Sequence, residues 1–252
     1  MQLIPEKRQQ LKSWFAEDLG HQLLLRELGE VNRHCQPLLK HVVLQIGTYP
    51  ASIIEDWADV RLPIVLEMFD DDRPGMKNLL AEPELLPLAN QSVNLILMPH
   101  ALDFATDAHE LLREVSRVIT PEGHVIITGF NPISLWGLRR IIARRSSPVP
   151  WCGQFYRSGR VQDWLTLLGF ELVAGSMCYY RPPCRARRLR EYLQFLETMG
   201  HRWWPLLGAV YILVARKHEK GARPILLGRR WRKRWQPGLV HSVRQCGQSR
   251  RQ

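Results

Sequence analysis

Two polar residues lie within two positions of the ends of segments that read as buried strands, and they are the first candidates for chemistry. His100 follows the apolar run Val93–Met98, and Asn131 follows the run His124–Phe130. A histidine can act as a general base near neutral pH, although packing or capping beside the sheet is the alternative that we prefer for His100. The pair Asn131-Pro132 favours a turn into the next helix, with Ser134 as its N-cap.

A strand–helix–strand pattern positions both candidates. Between the two apolar runs, Asp107–Ile119 has helical spacing, Asp103 is predicted to cap this helix, and Thr120–Gly123 reads as a turn. Strand, helix and strand in this order predict a parallel β-α-β unit. The carboxyl ends of its two strands, and with them both candidates, then meet at one edge of the sheet.

The rest of the chain continues the alternation of strands and helices. One long amphipathic helix is predicted at 9–34. Further strands are predicted at Val42–Ile46, Pro63–Leu66, Lys77–Leu80, Phe170–Tyr180 and Val210–Ala215, and further helices at 50–58, 134–145, 160–168 and 189–199. These elements predict an α/β fold with a mostly parallel seven-stranded sheet, helices on both faces and a late antiparallel pair.

Composition excludes several classes of protein. The chain has 252 residues, 45% of them hydrophobic, which suits one large domain with additions. Its five cysteines are scattered and form no C-x-x-C pair, so no zinc site or disulfide framework is predicted, and free thiols are favoured. The N-terminus lacks the apolar core of a signal peptide, and the longest apolar stretch, 203–215, is too short to span a bilayer. We therefore expect no transmembrane segment and a cytoplasmic location.

Basic charge is concentrated at the C-terminus. The net charge is +11, and residues 218–252 hold ten lysines and arginines against the single acid Glu219. This tail is predicted to be disordered, and within it two tryptophans alternate with basic residues: Arg229, Arg230, Trp231, Arg232, Lys233, Arg234 and Trp235. Nonspecific nucleic-acid contact and a solubilising tail are both open interpretations, ahead of contact with an anionic membrane.

The run Leu86–Arg140 resembles the second half of a class I S-adenosylmethionine (SAM) methyltransferase domain of the type 11 kind. The sequence motifs of that family are close to L-P-F-x-D-x-S-F-D, H-x-L-E-H and L-R-E-x-x-R-V-L-x-P-G-G. The corresponding segments of this chain, in the same order, are L-P-L-A-N-Q-S-V-N, P-H-A-L-D-F and L-R-E-V-S-R-V-I-T-P-E-G. The box G-F-N-P-I-S-L-W-G at 129–137 resembles an uncharacterised bacterial branch of the family. The resemblance implies a Rossmann-like fold, SAM as cofactor and no metal.

The loop after the first strand departs from the family. The usual D/E-x-G-x-G-x-G is replaced by L-Q-I-G-T-Y-P-A-S at 44–52, in which only Gly47 remains. Gln45 stands for the usual acid, and Tyr49 and Pro50 occupy the glycine-rich part. Contact between Gly47 and SAM and a plain strand–helix turn both stay open.

The resemblance implies further cofactor contacts. Glu67, at the tip of the second strand, matches the acid that pairs with the ribose hydroxyls, because a carboxylate accepts two hydrogen bonds. Glu82 matches the acid that accepts a hydrogen bond from the adenine amino group. Met98 and Pro99 match residues whose backbone flanks SAM. Asn131-Pro132 also resembles the N-P-P-Y box of amino-methyltransferases, in which the asparagine positions an amine.

These observations predict a helical cap at 1–37, a methyltransferase domain at 38–217 and the basic tail at 218–252. The predicted function is SAM-dependent methyl transfer to an unidentified acceptor. Two alternatives remain open: a catalytically inactive binding protein with the same fold, and an RNA methyltransferase that uses its tail. Asn90 and Asn94, which replace aspartates of the family, are expected to have structural roles.

Overall fold

A seven-stranded sheet forms the centre of the protein. The structure, a computed structural model, describes residues 4–36, 41–47, 60–67, 77–142, 148–184 and 195–218, together with residues 38, 49, 57, 192 and 193. These residues belong to the chain unit 1–219. The basic segment 229–235 and nearly all of the helix predicted at 50–58 lie outside the described residues.

The strand order confirms the predicted fold class. The strands are β1 (Val42–Ile46), β2 (Leu62–Glu67), β3 (Lys77–Leu80), β4 (Val93–Pro99), β5 (Ile119–Phe130), β6 (Phe170–Cys178) and β7 (Val210–Lys217). Their order across the sheet is β3-β2-β1-β4-β5-β7-β6; among these described strands, β7 is antiparallel to β5 and β6, and the other neighbouring pairs are parallel. Because the order reverses between β1 and β4, a crevice is expected at the carboxyl ends of these two strands.

Helices cover both faces of the sheet. They are α1 (Ile4–Ala16), α2 (Asp18–Cys35), α3 (Ala108–Val118), α4 (Leu135–Ile142), α5 (Ser158–Leu167) and α6 (Phe195–Trp203). Side chains of α1 and α2 share one core with Val43 and Leu97, whereas those of α3 and α5 share the other with Leu44 and Ile96. Burial on both faces explains why the central strands are continuous apolar runs.

Three local predictions were wrong. The turn predicted at Thr120–Gly123 is part of strand β5. The single N-terminal helix is two helices, because Glu17 is extended and α2 begins after it. Gly20 then packs against the Trp14 carbonyl, where an added Cβ would lie only 2.2 Å from the oxygen. The cap of α3 is Asp107, whose side chain accepts the N–H groups of His109 and Glu110, and not Asp103.

The predicted motif around Leu86 has a structural basis. Arg117 of α3 donates to the carbonyl oxygens of Leu86 and Leu88 at 2.8 Å and to Asn90 Oδ1 at 2.7 Å, while Glu114 holds the guanidinium. The L-R-E-x-x-R pattern therefore fixes the L-P-L segment that precedes β4. Asn94 Oδ1 accepts the Val42 N–H at 3.1 Å, so Asn90 and Asn94 have the expected structural roles.

Within the described part of the chain, no helix is long and apolar enough to cross a bilayer. The cytoplasmic location stays a prediction. Cys152, Cys178 and Cys184 form no disulfide bond within the part of the chain that the structure describes.

Candidate functional site

Gly47 lies where the strand order reverses, at the carboxyl end of β1. Its φ is +126°, and a Cβ at this position would lie 2.3 Å from the Pro99 carbonyl oxygen at the end of β4. Only glycine allows this backbone conformation together with such a close approach. This contact between the two strand ends explains why one glycine of the loop remains.

Gln45 provides a buried acceptor two residues before Gly47. It pairs in register with Val65 of β2 and Leu97 of β4, and only 1% of its surface is exposed. Its Oε1 has no hydrogen-bond partner among the residues that the structure describes. Because an unpaired buried acceptor costs free energy, the position suits a ligand that brings a donor.

His100 lies in a buried polar cluster that joins four parts of the fold. It follows β4 with a φ of 51°; its Nδ1 lies 2.9 Å from Asp103 Oδ2 and its Nε2 lies 3.2 Å from Glu27 Oε2. Tyr49 donates its hydroxyl hydrogen to Glu27 Oε1 at 2.7 Å. The Phe130 N–H donates to Asp103 Oδ2 at 3.0 Å. The cluster thus connects α2, the loop after β1 and the ends of β4 and β5.

Aromatic rings enclose this cluster. The imidazole of His100 stacks on Phe130 with a centroid distance of 4.1 Å, and Phe15 of α1 lies at 5.7 Å. Phe130 stacks in turn on Phe155 and Trp136. The cluster is therefore shielded from water, and its charge interactions are stronger than at a surface.

The electrostatics of the cluster favour an imidazolium paired with a carboxylate. Burial alone would lower the pKa of His100, but the Glu27 carboxylate and the hydrogen bond that His100 donates to Asp103 raise it to about 9. Burial raises the pKa of Glu27, yet the charge of His100 and its hydrogen bonds lower it overall. Burial dominates at Asp103 and raises its pKa. An imidazolium with both nitrogens bonded has no free position for a proton, so this geometry favours a packing role for His100.

The side-chain amide of Asn131 holds a neighbouring loop. Its Nδ2 donates to the carbonyl oxygens of Leu206 at 2.8 Å and Gly208 at 2.9 Å, and its Oδ1 accepts the Ile133 N–H at 3.1 Å. Ser134 Oγ accepts the Gly137 N–H, which confirms it as the N-cap of α4. These contacts favour the turn interpretation over a role in positioning an amine.

The other predicted contacts lie along the same edge of the sheet. Glu67 ends β2, in register with Leu80 of β3, and its side chain lies outside the described residues. Glu82 is exposed just after β3. The side chain of Met98 is fully buried in the core, so only its backbone faces the strand ends. The structure thus brings the ends of β1, β2 and β4 together, whereas the roles of Gly47, Glu67, Glu82, Met98 and Pro99 stay predictions.

Glu27 is a residue of this site that sequence reasoning missed. The signal was present, because Glu27 stands between Leu23 and Val31 at intervals of four residues on the apolar face of α2. A lone acid in an apolar stripe requires a buried partner. A cavity of about 350 Å³ lies at the opposite edge, beside Asn94, Gly123 and Arg216, so it is not part of this site.

Comparisons with known proteins agree with this fold. Residues 63–127 match a family model described as a methyltransferase domain. The uncharacterized protein YafS of Escherichia coli is 35% identical over 137 residues, which are 54% of this chain and 53% of that protein. The chain thus spans about half the length of this curated relative.

Solved structures share the fold. A SAM-dependent methyltransferase from Thermotoga maritima, described as a possible histamine N-methyltransferase, has a TM-score of 0.61 at 17% identity, covering 85% of this chain and 98% of that one. A SAM-dependent methyltransferase from Mesorhizobium loti has a TM-score of 0.52 at 17% identity, covering 75% and 96%.

Proposed function

We propose that this protein transfers a methyl group from SAM to an acceptor. The chain has the class I SAM-dependent methyltransferase fold, and its residues 63–127 match a methyltransferase domain. The observation that carries this proposal is the contact between Gly47 and the Pro99 carbonyl at the reversal of the strand order. Ligands of open α/β sheets bind at this point, outside the carboxyl ends of the strands.

SAM is the cofactor that the domain and the fold indicate, and the described residues fit it. Gln45 offers a buried acceptor without a partner, which matches the donor groups of an amino-acid moiety. Gly47 has no Cβ, which allows the ends of β1 and β4 to meet at the edge where the ligand would bind. We propose that Glu67 accepts hydrogen bonds from the ribose hydroxyls, that Glu82 accepts one from the adenine amino group, and that the backbone of Met98 and Pro99 flanks the cofactor.

Tyr49 replaces part of the glycine-rich loop with a fixed side chain. It is 2% exposed, and Glu27 accepts its hydroxyl hydrogen. We propose that this loop is held by the buried cluster and that the strand ends carry the cofactor contacts in place of the missing glycines. The cluster then determines how the loop after β1 sits beside β4.

A bound SAM supplies an activated methyl group on its sulfonium, so the protein contributes mainly alignment and exclusion of water. The aromatic rings around His100 exclude water from one side of the sheet edge at which β4 ends. Because His100 is held as an imidazolium, we propose that the chain acts on the acceptor by binding and orientation, without proton abstraction by this histidine.

Calorimetry with SAM and with S-adenosylhomocysteine tests the proposal directly. Saturable binding of both, followed by incorporation of labelled methyl groups into an acceptor fraction, is the expected result. A protein that stays folded but shows no heat and no thermal shift with either compound would be a non-catalytic binding protein with this fold. The third possibility, RNA methylation through the tail, depends on residues 229–235.

A further inference from the structure

Helix α2 binds the segment that follows β1 at two points. Glu27 Oε1 accepts the hydroxyl hydrogen of Tyr49 at 2.7 Å, and Asn32 Oδ1 accepts the indole N–H of Trp57 at 3.1 Å. We call residues 47–57, which begin where the strand order reverses, the cofactor loop. One helix therefore contacts the cofactor loop near its beginning and again at its end.

Helix α1 adds an aromatic contact to the first of these points. The centroid of the Phe15 ring lies 6.2 Å from that of Tyr49 and 5.7 Å from that of His100. Phe15 is fully buried and Tyr49 is 2% exposed. The Tyr49 side chain is thus enclosed by both helices, and a movement away from Glu27 would also remove its packing against Phe15.

The sheet holds α2 independently of the cofactor loop. The second carboxylate oxygen of Glu27 contacts His100 directly after β4. In the last turn of the helix, His34 Nε2 lies 3.2 Å from Ser176 Oγ of β6. Val31 of the same helix is buried in the core. Because the sheet fixes α2 at these places, the helix gives the cofactor loop a firm support.

We propose that α1 and α2 form a clamp on the cofactor loop, so that cofactor binding and docking of the two helices stabilise each other. The clamp rests on the proposed function, because it takes this segment as one that binds SAM. A ligand that approaches the backbone at Gly47 binds more tightly when that backbone is already fixed. Thermodynamic linkage then requires the bound ligand to stabilise the docked helices by the same factor. Tyr49 and Asn32 are positioning residues, which act on the cofactor through the loop backbone.

Calorimetry of the full chain with two ligands tests the clamp. Tyr49→Phe removes the hydroxyl and keeps the ring, and Asn32→Ala removes the acceptor of Trp57. Each variant loses one hydrogen bond between α2 and the loop, so its affinity for S-adenosylhomocysteine should fall about two- to tenfold. The affinity for 5′-methylthioadenosine, which lacks the amino-acid moiety, should not change, since the end of β1 faces that moiety in the proposed complex. A general loss of folding would weaken the binding of both compounds.

Matched controls leave both contacts in place. Tyr192→Phe removes the same hydroxyl from a side chain that is 78% exposed. Gln22→Ala removes a side-chain amide that donates to Asp18 within α2. Both controls should bind S-adenosylhomocysteine as the unchanged protein does. Urea unfolding verifies that the variants fold, and Asn32→Ala, at an exposed position, tests the clamp even where Tyr49→Phe does not fold.

Hydrogen exchange measures the coupling from the side of the helices. S-adenosylhomocysteine should slow the exchange of backbone amides around Glu27 in α2, and Asn32→Ala should reduce this protection. Unchanged affinity in both variants, or ligand binding that leaves the exchange of α2 unaltered, would overturn the clamp while the proposed function stands. An unchanged protein that does not bind S-adenosylhomocysteine would refute the proposed function, and the clamp with it.

Discussion

His100 Nε2 lies 3.2 Å from a carboxylate oxygen of Glu27, although 73 positions separate the two residues in the sequence. Both side chains are fully buried. The pair fastens α2, which precedes the sheet, to the turn that leaves β4. Since Tyr49 binds the same carboxylate, the position of the loop after β1 depends on this pair as well.

Replacing Glu27 by glutamine should strongly destabilise the protein. The variant keeps the shape of the side chain but leaves the imidazolium without its main opposite charge, and breaking a buried ion pair costs about 3–5 kcal/mol. Urea unfolding measures the change. Glu30→Gln is the matched control on the same helix, because Glu30 pairs with Arg33 at the surface and should contribute at most about 1 kcal/mol. Equal free energies of unfolding for the two variants would contradict an ion pair at His100.

The free energy of unfolding should fall as the pH rises through the range of the His100 pKa. The pKa is about 9 in the folded protein and 6.5 in its ordinary state, so the folded state holds the proton more tightly. The stabilisation is therefore complete below pH 6.5 and is lost between pH 6.5 and about 9. Urea unfolding across this range measures the loss. His100→Gln, which cannot titrate there, should show a flatter dependence, and parallel curves for the two proteins would refute the assignment.

The fold could be predicted because its central strands are buried on both faces. Such strands need continuous apolar sequence. Val93–Met98 and His124–Phe130 are runs of this kind, which can be recognised from neighbouring residues alone. The break between α1 and α2 could not be predicted in this way. Both helices keep an apolar face, and the interruption depends on the contact of Gly20 with the Trp14 carbonyl.

The candidate site could be predicted only in part. The resemblance to the methyltransferase family identifies Gly47, and the structure adds a reason for the glycine, which is the close approach of the Pro99 carbonyl. The apolar stripe of α2 indicates that Glu27 is buried, but no local pattern shows that its two oxygens bind Tyr49 and His100, which lie far away in the sequence. The position of Asp103 before α3 predicts a helix cap, but its carboxylate instead accepts hydrogen bonds from the imidazole of His100 and the N–H of Phe130.

Gly47→Ala should destabilise the protein and abolish SAM binding. The new Cβ would overlap the Pro99 carbonyl oxygen, and a φ of +126° is strained for alanine, so a loss of about 1–3 kcal/mol or more is expected. Gly29→Ala is the control, since no atom lies within 4 Å of its added Cβ. This change within α2 should stabilise the helix by up to about 1 kcal/mol. Calorimetry and urea unfolding measure both effects, and a Gly47→Ala protein that binds SAM normally would place the cofactor elsewhere.

Glu67→Ala and Glu82→Ala should each weaken SAM binding without unfolding the protein. Each removes a hydrogen bond to the cofactor worth about 0.5–1.5 kcal/mol, or more because the acceptor is charged. The expected loss is about tenfold in affinity per substitution, measured by calorimetry. Glu171→Ala, at the other edge of the sheet on β6, should leave the affinity unchanged. Normal affinity in both test variants would show that the pocket lies elsewhere.

Deleting residues 220–252 should remove binding to polyanions and leave SAM binding intact. The deletion keeps β7 and His218, whose N–H donates to the Gly169 carbonyl oxygen. Binding of the full chain to RNA or DNA should fall steeply with salt, because phosphate contacts release counterions. Trp231→Ala with Trp235→Ala should weaken single-strand binding more than duplex binding, since stacking needs exposed bases. Filter binding at low salt measures these effects. A shortened chain that retains its affinity for RNA would make the tail a solubilising extension and remove the main support for RNA as the acceptor.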